Sequence, residues 1–206
     1  MTKALILSLA LILIIYPSFN LPSLDRTLDF PLALGMLPIT NDSGVKIYPN
    51  KYELRDVLGE EATKMMLRYF RRFNRFKIHE LPPLKDTEDL YEKHEDMDFV
   101  VQGRILSCII KKGETFGTNW GAKLELELKL YDIKGGKVVF DRVILGTDRQ
   151  FMIYLEDRER KTWKEVEKSA LGGALRKAIL EGATLVARYL PLRGRIIAIL
   201  DEKRFL

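Results

Sequence analysis
Few side chains in this 206-residue chain could do chemistry, and they lie far apart in sequence. Cys108 is the single thiol. A thiol attacks only as thiolate, which needs a base or a positive charge beside it. Cys108 instead lies inside the apolar run Phe99 to Ile110, where the expected role is a small buried hydrophobe. His94, Glu95, Asp96 and Asp98 bring nitrogen and oxygen donors close together, the raw material of a metal site. The second imidazole, His79, is distant and no Cys adjoins the group, so the reading is a solvated loop ahead of a strand. Asp132, Asp141 and Asp148 would serve a hydrolase only if folding made them converge. Gly113, Gly117, Gly121 and Lys123 surround Trp120, but they fall between two strands, whereas a phosphate-cradling loop joins a strand to a helix. No nucleotide loop, G-x-S-x-G elbow or H-E-x-x-H pair occurs. No catalytic residue, cofactor or metal is therefore expected, and an enzyme, in the form of an uncharacterised hydrolase, is the alternative reading.

Two patterns suit binding instead. Lys64, Arg68, Arg71 and Arg72 fall at i, i+4, i+7 and i+8, one helical face opposite Ala62, Met66, Tyr69 and Phe73. With Arg75 and Lys77, the stretch 64–77 holds six bases and no acid. It reads either as a solvated face whose charge complements the helix C-terminus, or as a docking face for an acidic partner or anionic lipid headgroups. The second pattern is Phe116 and Trp120 among the glycines of 113–121. These aromatics either fold back onto the sheet or anchor a partner protein from a hairpin tip.

The elements that must position these groups follow from the hydrophobic pattern. Met1-Thr2-Lys3 precedes an uncharged apolar core from Ala4 to Tyr16, shorter than a full membrane span of about 20 residues and suited to export. Residues 1–22 are expected to be an export signal or a short N-terminal anchor, and no Cys directly follows that core to carry a lipid. Residues 29–206 are expected to form a single α/β domain with one mixed sheet in the order β-α-β-(α)-β-β-β-α-β. Phe30 to Ile39 reads as the first strand, closed by the turn signal Asn41-Asp42-Ser43-Gly44. Asn50 with Glu53 reads as a helix cap, and apolar residues from Leu54 to Phe73 recur at helical spacing up to Asn74. Arg75 to Leu81 is a short strand, and Asp86 to His94 one or two helical turns. From Phe99 the period becomes two; Leu124, Leu126, Leu128 and Leu130 alternate with polar residues, and Gly135-Gly136 turns into a strand from Lys137 to Gly146. Thr162 to Leu190 reads as a long helix rich in Gly and Ala, closed by Pro191 and followed by a last strand, Arg195 to Leu200.

Composition agrees with a folded protein: 47% hydrophobic, 31% charged, net charge +5. That excludes a disordered chain, and the basic excess is too small and too mixed for a dedicated nucleic-acid binder. Nucleic acid is not an expected partner. Two Gln and five Asn among many Lys, Glu and Arg give the bias seen in thermophile proteins.

Four segments in order resemble a bacterial envelope group that includes the curli-export lipoprotein CsgG, the N-terminal domain of TolB and the Lpo-type lipoprotein activators of penicillin-binding proteins. Leu37-Pro38-Ile39-Thr40-Asn41-Asp42-Ser43-Gly44 is similar to its "LPF-x-N-x-S/G" opening, and Asn74 to Ile78 to its "GRF-x-V" strand. Asp98 to Ile105 resembles its "ADYVVxGxI" strand, and Leu130 to Phe140 its "LVDVKTGEVVW" hairpin. The chain departs from the group in lacking a lipidation Cys. The resemblance implies a periplasmic or membrane-associated, non-enzymatic domain that binds another envelope protein, or further copies of itself, during envelope assembly, transport or cell-wall synthesis. A peripheral module that binds an anionic membrane surface through the basic helix face is the other binding reading.

Overall fold
The structure, a computed structural model, describes residues 31–84, 89–112, 120–150 and 161–202; of 111–112, 120, 150 and 191–202 it describes the backbone only. The expected export signal or anchor at 1–22 and Phe116 lie outside these residues. The elements are β1 (Leu32–Met36), β2 (Thr40–Asn41), α1 (Leu58–Phe70), β3 (Phe76–Glu80), α2 (Asp89–Lys93), β4 (Phe99–Lys112), β5 (Trp120–Asp132), β6 (Lys137–Gln150), α3 (Trp163–Glu167) and α4 (Ala170–Glu202). They build the expected mixed α/β architecture. One sheet runs β3-β1-β4-β5-β6, with β2 beside β4; β3, β1, β2 and β4 pair in parallel, and β4, β5 and β6 antiparallel.

The period-two pattern of β5 decides which face is covered. Leu124, Leu126, Leu128 and Leu130 are fully buried under the helices, while Lys123, Glu125, Glu127 and Lys129 stand on the other face. There Arg104–Glu127 and Lys129–Asp141 pair across strands, each at 3.6 Å, and Lys123–Glu125 pairs along β5 at 2.7 Å. A smaller second core of Leu37, Leu90, Met97, Val100, Tyr131 and Ile133 gathers around α2.

Helix α4 lies close on β5 and β6 because glycines leave room. A Cβ on Gly146 would stand 2.0 Å from the Ala174 carbonyl oxygen, and one on Gly182 would stand 2.4 Å from Leu128 Cδ1. Ala174, Ala178, Ala183 and Ala187 are buried along the same helix. The small residues read from the sequence are thus the contact stripe itself.

Four expectations change. Asn50 does cap, accepting from Tyr52 N at 2.8 Å and Glu53 N at 3.1 Å, but it closes an isolated turn. Tyr52 and Leu54 are 93% and 70% exposed, and residues 51–56 have no buried face to stabilise a helix. Helix α1 starts at Leu58, whose N–H donates to Asp56 Oδ1 at 3.1 Å; the same oxygen accepts from Ile47 N. The other end of α1 is Phe70, and 71–75 are turns. The expected long helix is two, α3 and α4, separated at Lys168-Ser169. Finally, Arg195 to Leu200 is not a strand, because α4 continues through Pro191 to Glu202. Proline removes the N–H that would bond the carbonyl four residues back, that of Ala187. Here Arg75 Nη1 donates to the Ala187 oxygen at 3.4 Å, a replacement partner from another element.

Candidate functional site
The basic stretch and the described residues that flank 113–119 stand at opposite ends of the sheet. Helix α1 runs from mid-sheet, where Thr63 Oγ1 accepts from Ile39 N at 2.8 Å, to the end at which the chain enters β1. At that end Leu32 N donates to the Arg75 oxygen, and Phe70 meets Phe76 edge-on at 6.1 Å. Lys112, Trp120 and Gln150 are register partners at the other end, where β4, β5 and β6 leave the helices behind. Thirteen residues of β5 separate the two ends, roughly 40 Å.

Lys64, Arg68, Arg71 and Arg72 are all exposed, as the helical spacing requires. Their charges are not equally available. Lys64 bridges Glu60 and Glu61, each at 2.8 Å, and these hydrogen bonds raise its pKa and lower that of Glu60. Arg71 pairs with Glu80 of β3. Arg68 has no ion-pair partner among the described residues, and Arg72 lies over the Tyr69 ring at 5.1 Å. Arg75 stacks on Phe73 at 6.0 Å. The sequence stretch without acids is therefore partly neutralised by acids from outside it, and the free charge is concentrated at the C-terminal end of α1.

At the hairpin end a cavity of about 820 Å³ opens, lined by Ile109, Gly121, Ala122, Lys123, Thr147, Asp148, Arg149 and Lys177. Gly173 places α4 against Asp148: a Cβ there would lie 1.8 Å from Asp148 Oδ2. Lys177 then reaches Asp148 Oδ1 at 2.6 Å and the Thr147 carbonyl at 3.1 Å. Lys123 donates to Glu125, which also accepts from Ser107 Oγ at 2.9 Å, and these bonds hold the Glu125 carboxyl below the usual range. The lining thus offers apolar surface between Ile109 and Ala122, with charges already matched except Arg149, which has no ion-pair partner among the described residues. Trp120 is the first residue of β5; Phe116 belongs to the segment joining β4 to β5. This cavity leaves no signal in the sequence, because Ile109, Ala122, Asp148 and Lys177 come from four separate elements.

The groups read for possible chemistry are held apart. Asp132 is buried and accepts from Gly135 N at 2.9 Å. Asp141 pairs with Lys129, and Asp148 with Lys177. Asp141 and Asp148 are spaced along one strand by roughly 23 Å. His94 is buried with no partner for Nε2, whereas Asp98 bonds Ala33 N at 2.9 Å and Lys134 at 2.7 Å. Among the described residues no group of three His, Cys, Asp or Glu side chains could hold a metal ion. Cys108 is half-buried, and burial pushes its thiol pKa up despite a hydrogen bond from Ser43. No described helix is long and apolar enough to cross a membrane.

No family model and no curated protein matches the sequence. Solved structures do share the fold. A hypothetical protein of Chlamydia trachomatis overlaps at TM-score 0.53 with 14% identity, over 76% of this chain and 94% of that one. A putative neuraminyllactose-binding hemagglutinin homolog from Helicobacter pylori overlaps at TM-score 0.50 with 10% identity, over 85% and 95%. The C-terminal domain of LpoB from Salmonella enterica overlaps more loosely, at TM-score 0.31 with 10% identity over 64% and 90%. These likenesses concern the fold alone.

Proposed function
We propose that the chain is a non-enzymatic accessory protein of the bacterial envelope that binds another protein at its hairpin end. The observation that carries this reading is the open, partly apolar cavity at the end of β4, β5 and β6, the end at which the glycine-rich stretch 113–121, with Phe116 and Trp120 in its sequence, links β4 to β5. Aromatic anchors next to a desolvated pocket are the usual centre of a protein interface. The dispersal of the carboxylates, each engaged by its own partner, supports binding over hydrolysis. The apolar core at 4–16 and the four-segment resemblance support an envelope location in assembly, transport or cell-wall synthesis. A second copy of the chain is one partner this reading admits, since β6 is an outer strand with Val143 and Leu145 exposed. The test replaces Phe116 and Trp120 together by Ala. Thermal stability should hold while capture of envelope proteins weakens by roughly 1–4 kcal/mol. Lowered stability with unchanged capture would mean that the two rings pack onto the sheet, and the reading would fall.

A further inference from the structure
We infer that the chain-entry end of the fold is a membrane-facing surface that lies on anionic lipid headgroups. Three features, far apart in sequence, meet there. Arg68 of α1 and Arg72 and Arg75 of the following turn are exposed, and Arg188, exposed on α4, follows the Ala187 whose carbonyl Arg75 holds. Glu80 offsets Arg71, and neither Arg68 nor Arg188 has an ion-pair partner among the described residues. The nearby exposed acids, Glu95 and Asp96, precede β4 on the α2 side of the sheet, opposite the helix layer that carries the arginines.

The second feature is the point of chain entry. Leu32 bonds the Arg75 carbonyl, so the thirty residues before Pro31, with their uncharged core Ala4 to Tyr16, join the fold beside the arginines. The third is α4, which continues for twelve residues past Leu190, about 18 Å of helix. Its sequence there supplies Arg193 and Arg195, then Ile196, Ile197, Ala198, Ile199 and Leu200. An apolar segment together with a basic patch is the two-signal arrangement that gives stable membrane attachment, and arginines close to an anionic surface each favour contact about fivefold. Charge complementarity calls for an anionic surface, and the apolar stretch that joins the fold beside the arginines selects lipid over an acidic protein. The inference is independent of any partner at the hairpin end.

The test uses the full chain with Cys108→Ala and Asn74→Cys, an exposed site in the arginine turn, labelled with a polarity-sensitive fluorophore. The apolar N-terminal core acts equally on vesicles of phosphatidylcholine and on vesicles in which a third is phosphatidylglycerol. The label should shift to the blue only on the second, and concentrated salt should abolish the shift. Arg68→Glu with Arg72→Glu should lower the docked-to-undocked ratio roughly twentyfold or more. The milder Arg68→Gln with Arg72→Gln should lower it less, with the melting temperature kept. An equal response on both vesicles, or none on either, would overturn the inference.

Discussion

Arg75 joins three parts of the chain: its guanidinium stacks on Phe73, its carbonyl accepts from Leu32, and its Nη1 serves the carbonyl that Pro191 leaves without a donor. Arg75→Ala should therefore lower stability by about 1 kcal/mol. Pro191→Ala restores the helical N–H, so Arg75→Ala should cost less in that background, a coupling that melting curves of the double-mutant cycle would detect. Equal costs in both backgrounds would refute the replacement bond. A second residue-scale expectation concerns alkaline pH. Burial raises the pKa of Cys108 from its ordinary 9.0, and burial raises those of Tyr91 and Tyr131 from 10.0. The unfolded chain loses these protons first, so stability should be full below about pH 9 and fall as pH rises beyond it. Denaturant titrations at increasing pH measure this, and a flat profile between pH 8 and about 11 would contradict it. Among single residues, the packing of a half-buried Cys108 against the core was legible from its apolar neighbours. Asp56 was not, because its partners, Ile47, Leu58 and Asn41, are brought to it by a loop.

At the scale of elements, β5 was the most legible, since strict alternation admits only one buried face. Leu128→Ala should cost about 2–5 kcal/mol, whereas Lys129→Ala on the opposite face should cost under about 1. Similar costs would mean that the sheet has no single covered face. Gly146→Ala should destabilise by about 1–3 kcal/mol, because its Cβ would press on the Ala174 carbonyl. The β5–β6 turn was equally plain: Gly136 takes φ +62° and Asp132 holds Gly135 N. The start of α1 and the end of α4 were misread for one physical reason. Caps and breakers state where a helix can stop, while tertiary contacts decide where it does. An apolar run as short as Ile196 to Leu200 suits a strand and a helix alike.

At the scale of the molecule, the sheet separates two kinds of surface. One end gathers the chain entry, the exposed arginines and the extension of α4; the other carries the cavity and the glycine-rich connection between β4 and β5. No window of sequence shows this polarity, because it depends on α1 ending, and α4 passing, where β1 begins. The arrangement gives a protein that would meet lipid at one end and a protein partner at the other, roughly 40 Å away. Site-specific photo-crosslinking in living cells tests the central claim of a protein-binding hairpin end most directly. A photoreactive residue in place of Phe116 should give a discrete protein adduct, while one in place of the half-exposed Gln102, mid-sheet, should give none. Adducts of the same pattern at both positions, or no protein adduct at 116, would contradict the account.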